Sequence, residues 1–463
     1  MFEIEQYARQ SLVSTLQGDG RKRVSRVCTD TREIGRGDLY IALVGKNFDG
    51  HDFVRDAIEA GVSGCMVSRR ALENSNLPDF DYLVVNDPVE GISDLAGWWR
   101  SRLSPIVIGI TGSTGKTTVK EMLTQILKQE FGEKSVLSTI GNFNNDIGVP
   151  KTLLELRSFH KFAVVEMGMN RFGEIESSAK ISKPHFAIIT NVGSAHIGEL
   201  GSEENIAKAK SEIICGLGGR GTLFVDANGK FTNFFKECAQ TNDVITFGES
   251  EGANFRASID RESASNFGST KIRLGSESGV IKLAVPGKHN ALNAMAAAAV
   301  AHHLGVSSAS IRCGLESFHG VKGRLEITQL SKSQILINDT YNANFESMCA
   351  AIDSIAESKS KTILICGDMG ELGESGPRLH ERVGDYAKAK GIDILLGIGD
   401  LAKNTCIAFG SGGYHFDDDE GLIERLRGEL SQDVVVLVKG SRFMKMEKFC
   451  EYLIADSTFR ERT

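Results

Sequence analysis

The sequence predicts an α/β fold in three domains built largely on parallel sheets, and three observations lead there. The first is length: 463 residues are too many for one hydrophobic core, so roughly two or three domains are expected. The second is a series of continuous apolar runs separated by helix-length segments, as parallel strands covered on both faces require. The third is a glycine-rich turn set directly between such a run and an amphipathic helix, at residues 105–131.

Residues 1–86 form the first domain, a small α/β unit with short apolar runs at "DLYIAL" (38–43) and "DYLVV" (81–85). "ISDLAGWWRSRL" (92–103) has helical spacing and reads as a linking helix into the central domain, 87–319. There "PIVIGI" (105–110), "FAVVEMG" (162–168), "FAIIT" (186–190) and "GTLFV" (221–225) read as parallel strands. Segment 244–285 alternates more finely and suggests antiparallel strands, and "ALNAMAAAAVAHHLG" (291–305) is an alanine-rich helix ended by Gly305. In residues 320–463, "QILIND" (334–339), "KTILICGD" (361–368), "IDILLGIGD" (392–400) and "DVVVLVKGS" (433–441) predict a second, Rossmann-like doubly wound unit.

Composition narrows the function. A net charge of −7 gives no concentrated basic face for nucleic acid. No apolar run approaches the roughly 18 residues of a membrane span. The start, "MFEIEQYARQ", is too charged for a signal peptide. Nine cysteines, an odd number without a C-x-x-C pair, are expected to be small buried hydrophobes in a reducing cytoplasm.

The chemistry is concentrated in "ITGSTGKTT" (110–118). The usual phosphate-loop pattern needs a glycine where Ile110 stands, yet strand, glycine turn and helix follow in the confirming order. Val119, Met122, Leu123, Ile126 and Leu127 give the following helix its apolar face. Gly112 and Gly115 let the backbone curl toward phosphate, Lys116 reaches the terminal phosphates, and the Thr117 hydroxyl suits magnesium. Thr111, Ser113, Thr114 and Thr118 complete a nucleotide-binding stretch. Glu166 ends a strand, where a carboxylate suits a cation or is simply solvated. His196 lies in the loop "TNVGSAHIGELG", Lys210 in a helix, and His289, Asn290 and Asn293 at another helix start, where asparagine amides pair with a base edge or cap the helix.

Taken in order, "TGSTGKTT", "EMGMN", "NVGSAHIGELGS", "AKAKSEI", "PGKHNALNAMAA", "GRLE" and "NDTYNAN" resemble the Mur ligase family over nearly the whole chain. These are ATP-dependent amide ligases of bacterial cell-wall synthesis, and their phosphate loop has the same off-pattern "TGxxGK" cut. The stretches "CTDTREIGRGDLYIAL", "NFDGHDFV", "NFNNDIGVPKTLL" and "GDMGELGE" are similar to the branch that joins D-alanyl-D-alanine to UDP-N-acetylmuramoyl-tripeptide. A "DNPR" stretch, typical of the sibling that adds diaminopimelate, is absent.

The resemblance implies ATP and magnesium as cofactors, and these two molecules as substrate partners of a cytoplasmic, monomeric enzyme. It implies catalytic roles for Lys116, Glu166, His196, Lys210 and Arg324, with Thr117, Glu166 and, if carbamylated, Lys210 as metal ligands. Asn290, Asn293, Arg324, Asp339, Tyr341 and Asn342 would face ATP. Thr31, Arg32, Asn47, Asp49 and His51 would hold the UDP-sugar. The chain departs from the family pattern at Phe345, where proline is usual, and at Glu346, where aspartate is usual, so the shape of that helix start is open. Two rivals stay open: a sibling ligase with another amino donor, and a phosphate-loop NTPase switch.

Overall fold

The computed structural model describes residues 1–45, 48–74, 77–260, 270–274, 279–331, 333–430 and 433–455. The chain resolves into two compact units: residues 1–109, 133–187 and 212–221, and residues 110–132, 188–211 and 222–463.

In the first unit, β1 (Phe2–Glu3) pairs antiparallel with β3 (Arg23–Val24). A five-stranded sheet runs β2-β7-β6-β5-β4 through β2 (Ser14–Gln17), β4 (Val27–Cys28), β5 (Leu39–Ile41), β6 (Gly64–Ser68) and β7 (Tyr82–Val85). Only β2 is antiparallel to its neighbour in it. The helix expected at 92–103 begins earlier, at Pro88–Ser101. Asp87 caps it by accepting from Val89 N–H, and Pro88 takes the first turn, where its missing donor costs nothing.

Two strands run through both units, β8 (Ile106–Thr111) and β11 (Phe186–Ile189). Within the first unit the order is β11-β8-β10-β9, with β9 (Val136–Ser138) parallel to β10 (Phe162–Glu166). Within the second unit the order is β16-β15-β14-β13-β12-β11-β8. There β12 (Thr222–Asp226), β13 (Asp243–Gly248) and β14 (Phe255–Asp260) are parallel. The antiparallel pairing expected from 244 onward begins only with β15 (Thr270–Leu274) and β16 (Val280–Leu283).

The second unit also holds a doubly wound sheet in the order β17-β18-β22-β19-β20-β21. Its strands are β17 (Glu326–Gln329), β18 (Gln334–Asp339), β19 (Lys361–Gly367), β20 (Ile394–Ile398), β21 (Gly413–Phe416) and β22 (Val434–Lys439). Alternate side chains of one strand go to opposite cores: Ile337, Leu364, Leu395 and Leu437 to one, Leu336, Ile363, Leu396 and Val436 to the other. Both faces are therefore dry, which is why these strands read as unbroken apolar runs. Cys28, Cys65, Cys366, Cys406 and Cys450 are buried as expected, but Cys215 and Cys313 are exposed, being on outward positions of a helical turn and a helix.

Candidate active site

The phosphate loop leaves β8 and enters the helix Lys116–Phe131. Gly112 (φ 152°) and Gly115 (φ 80°) both take backbone conformations that disfavour a side chain. A Cβ at Gly112 would overlap Thr190 Oγ1, and one at Gly115 would overlap Asn293 Oδ1. The loop is thus pressed against its neighbours, with Gly115 as a left-handed N-cap and no side chain capping the helix.

Hydrogen bonds fix the loop from one side. Ser113 N–H donates to Asn191 O (3.1 Å) and Thr114 N–H to Asn191 Oδ1 (2.9 Å). Thr190 Oγ1 donates to Thr114 O (2.6 Å), and Gly193 N–H to Ser113 Oγ (2.9 Å). Ser113 and Thr114 therefore spend these donors on shaping the loop. Thr111 O accepts from Thr190 N–H, and Thr118 is buried at the helix start. Lys116 Nζ donates to Gly112 O at 2.6 Å, beside the helix N-terminus with its positive dipole end.

Lys210, in the helix Glu203–Ser211, is 2% exposed. Burial, and then the like charge of Lys116, lower its amine well below the ordinary lysine range, favouring the neutral form. His196 has left-handed backbone (φ 67°) and puts Nδ1 2.8 Å from Glu371 Oε2. That contact holds the Glu371 carboxyl below its usual value against the opposing effect of burial, with smaller help from the charges of His196 and Lys116.

Arg324 reaches the same place. Its Nη2 donates to Thr117 Oγ1 at 3.0 Å, and its guanidinium lies 4.1 Å from the centre of the Tyr341 ring. Asp339 is held from two directions: Oδ1 accepts from Leu325 N–H, and Oδ2 from Lys439 Nζ at 2.6 Å. Lys439 also donates to Asn342 O, so one buried lysine anchors two residues expected at the nucleotide. Asn293 abuts Gly115, whereas the Asn290 amide is engaged with Pro286 O. The helix Phe345–Ala356 starts cleanly without proline, because Asn344 and Ser347 form a reciprocal capping box.

The remaining residues belong to the first unit. Glu166 is buried at the last position of β10, where Oε1 accepts from Asn144 Nδ2 (2.7 Å). Asp30 caps the turn Thr31–Glu33 and pairs with the exposed Arg32. His51 is not a free ligand group: Ser68 N–H donates to its Nε2, and its Nδ1 lies 2.6 Å from Asp49 Oδ1, so the ring braces the loop. Asn47 lies outside the described residues. The donors of the second unit fit a magnesium nucleotide: a glycine cradle that a Cβ would fill, and the hard hydroxyl oxygen of Thr117.

Three residues escaped the sequence reading: Asn191, Glu371 and, as an anchor, Lys439. Asn191 had a signal, since "TNVG" follows a strand that ends beside the loop; the other two depend on distant partners.

Residues 23–96 match a Mur ligase catalytic domain, 110–301 a Mur ligase middle domain, and 323–442 a Mur ligase glutamate ligase domain. The chain is 37% identical over 447 residues to a UDP-N-acetylmuramoyl-tripeptide–D-alanyl-D-alanine ligase of Haemophilus influenzae, covering 95% of each. It superposes on MurF of Acinetobacter baumannii with a TM-score of 0.89 at 34% identity, covering 98% of this chain and 99% of that one. MurF ligase from Thermotoga maritima, solved in complex with ADP, gives 0.82 at 28% identity, with 96% and 99% covered. With its three-domain α/β architecture and full-length relatives, the chain belongs to the Mur ligase family.

Proposed function

We propose that the protein is an ATP-dependent amide ligase that joins D-alanyl-D-alanine to UDP-N-acetylmuramoyl-tripeptide through an acyl phosphate. The observation that carries the reaction class is Arg324 on Thr117: a cation from beyond residue 320 delivered to the phosphate loop beside Lys116. The substrates are supported by relatives of that name spanning nearly all of both chains. Domains at 1–86, 87–319 and 320–463 are proposed; the three family segments support their number, the first of them running past residue 86.

A carboxylate resists attack by an amine because oxide is a poor leaving group. The tripeptide carboxylate attacks the γ-phosphorus, forming a C–O–P link as ADP leaves. The amine then attacks the acyl carbon, loses a proton, and inorganic phosphate departs with the bond electrons. Such transfer depends chiefly on positioning and charge neutralisation. Lys116 and Arg324 bring two cations to the phosphate chain, and the Gly112–Gly115 cradle brings backbone against it. Thr117 and Glu166 would hold magnesium, which neutralises phosphate oxygens when bound. Lys210 is suited to carbamylation, since burial shifts its amine toward the neutral form, the one that combines with carbon dioxide. Thr31, Arg32 and Asp49 would meet the UDP-sugar, braced by His51; Asn290, Asn293, Asp339, Tyr341 and Asn342 would surround adenosine.

No helix among the described residues is long and apolar enough to cross a membrane. Phosphate release with acceptors varied singly tests the reading. Release requiring both acceptors, and lost in Lys116→Ala, is expected. Release satisfied by a single amino acid would point to a sibling ligase, and release without acceptors to an NTPase switch.

A further inference from the structure

The loop Asn191–Gly198 has two working sides. Its beginning holds the phosphate loop, through Asn191 on Ser113 and Thr114 and through Gly193 on Ser113. Its continuation meets residues beyond 320: Ser194 Oγ donates to Glu346 Oε2 at 2.8 Å, His196 Nδ1 lies 2.8 Å from Glu371 Oε2, and Gly198 N–H donates to Glu371 O at 3.0 Å. Glycine makes both approaches possible. A Cβ on Gly193 would lie 2.9 Å from Glu346 Cδ, and one on Gly198 2.7 Å from Glu371 O.

We propose that Glu346, with Glu371, is a positioning residue: by gripping this loop through Ser194 and His196 the two carboxylates register Arg324 on the phosphate loop. The proposal rests on the ligase reading for its effect on turnover, but not for the contact itself. Neither residue is assigned to the reacting atoms; both act through the loop that shapes the nucleotide site.

A plainer role for Glu346 is available. It is the second residue of the helix Phe345–Ala356, where any acid favours the helix dipole. The two roles make opposite demands. Aspartate keeps the charge but shortens the arm by about 1.3 Å, one carbon–carbon bond in projection, which takes a 2.8 Å contact out of hydrogen-bond range. Glutamine loses the charge but keeps the length and an oxygen that accepts from Ser194.

The test uses the full-length protein with ATP, UDP-N-acetylmuramoyl-tripeptide and D-alanyl-D-alanine, separating kcat from KM for ATP, together with amide hydrogen exchange of residues 191–198. Glu346→Gln is expected within about 2-fold of the parent in kcat. Glu346→Asp and Ser194→Ala, which break one contact from its two sides, are expected to lower kcat about 5- to 10-fold with KM for ATP nearly unchanged, and to speed exchange in the loop. Equal behaviour of Gln and Asp, or an impaired Gln with a normal Asp, overturns the proposal. Because exchange reads the loop without turnover, a parent enzyme lacking acceptor-dependent release would defeat the ligase reading alone. Unchanged exchange in Glu346→Asp would defeat this inference alone.

Discussion

Lys439→Met replaces the buried cation under Asp339 with an apolar chain of similar length. Lys439 and Asp339 side chains are 3% and 12% exposed and meet at 2.6 Å, and the ammonium also donates to Asn342 O. Without it the largely buried Asp339 carboxylate loses its cation and keeps its bond from Leu325 N–H. Breaking one side of a buried pair costs about 3–5 kcal/mol, because the remaining charge is stranded. For a domain of intermediate size this corresponds to a fall of roughly 10–20 °C in its unfolding midpoint. Asp339→Asn should cost less, since the lysine keeps Asn342 O and gains an amide oxygen. The double variant Asp339→Asn/Lys439→Met should recover much of the loss of Lys439→Met. Differential scanning calorimetry of the four proteins closes the cycle. A Lys439→Met protein within about 1 kcal/mol of the parent, or single effects that simply add, would refute the view that this pair is a desolvated anchor.

Other perturbations reach the site separately. Gly115→Ala forces a Cβ into a left-handed residue beside Asn293, at about 1–2 kcal/mol for the backbone alone; calorimetric ADP affinity should drop at least about 10-fold. Glu371 has a depressed carboxyl in the fold, so its stabilising contribution is present above the ordinary value of 4.5 and is lost as pH falls through the folded value. The gap in unfolding midpoint between the parent and Glu371→Gln should therefore shrink on acidification below that value, and a gap independent of pH would contradict the His196 contact. Labelling with 13C-bicarbonate should give a carbamate carbon signal in the parent that is missing from Lys210→Ala; no signal in the parent would leave Lys210 as an unmodified amine.

The legible parts of this chain are those written locally. The strands β18, β19 and β22 stand out because both faces are buried, so their central residues are apolar and polar ones fall toward their ends. The phosphate loop is legible because glycine, lysine and threonine must be contiguous there. The shape of the helix start at Phe345 is less legible, since it is set by the capping box of Asn344 and Ser347 and not by a proline. The parallel pairing of β13 was hidden by alternation that suits either direction. Lys439 looks like an ordinary strand-end lysine until the fold brings Asp339 to it across 100 positions. Glu371 gave no local hint, as its meaning depends on His196 in a distant loop. Local sequence names the groups that must touch phosphate; the residues that hold those groups in place are set by tertiary contacts.

The central claim is that the substrate carboxylate itself attacks phosphorus. UDP-N-acetylmuramoyl-tripeptide carrying 18O in its terminal carboxylate, turned over with ATP and D-alanyl-D-alanine, tests it by mass analysis of the released phosphate. One 18O atom is expected in each phosphate formed from labelled carboxylate oxygen. Phosphate whose new oxygen comes from solvent water would contradict it.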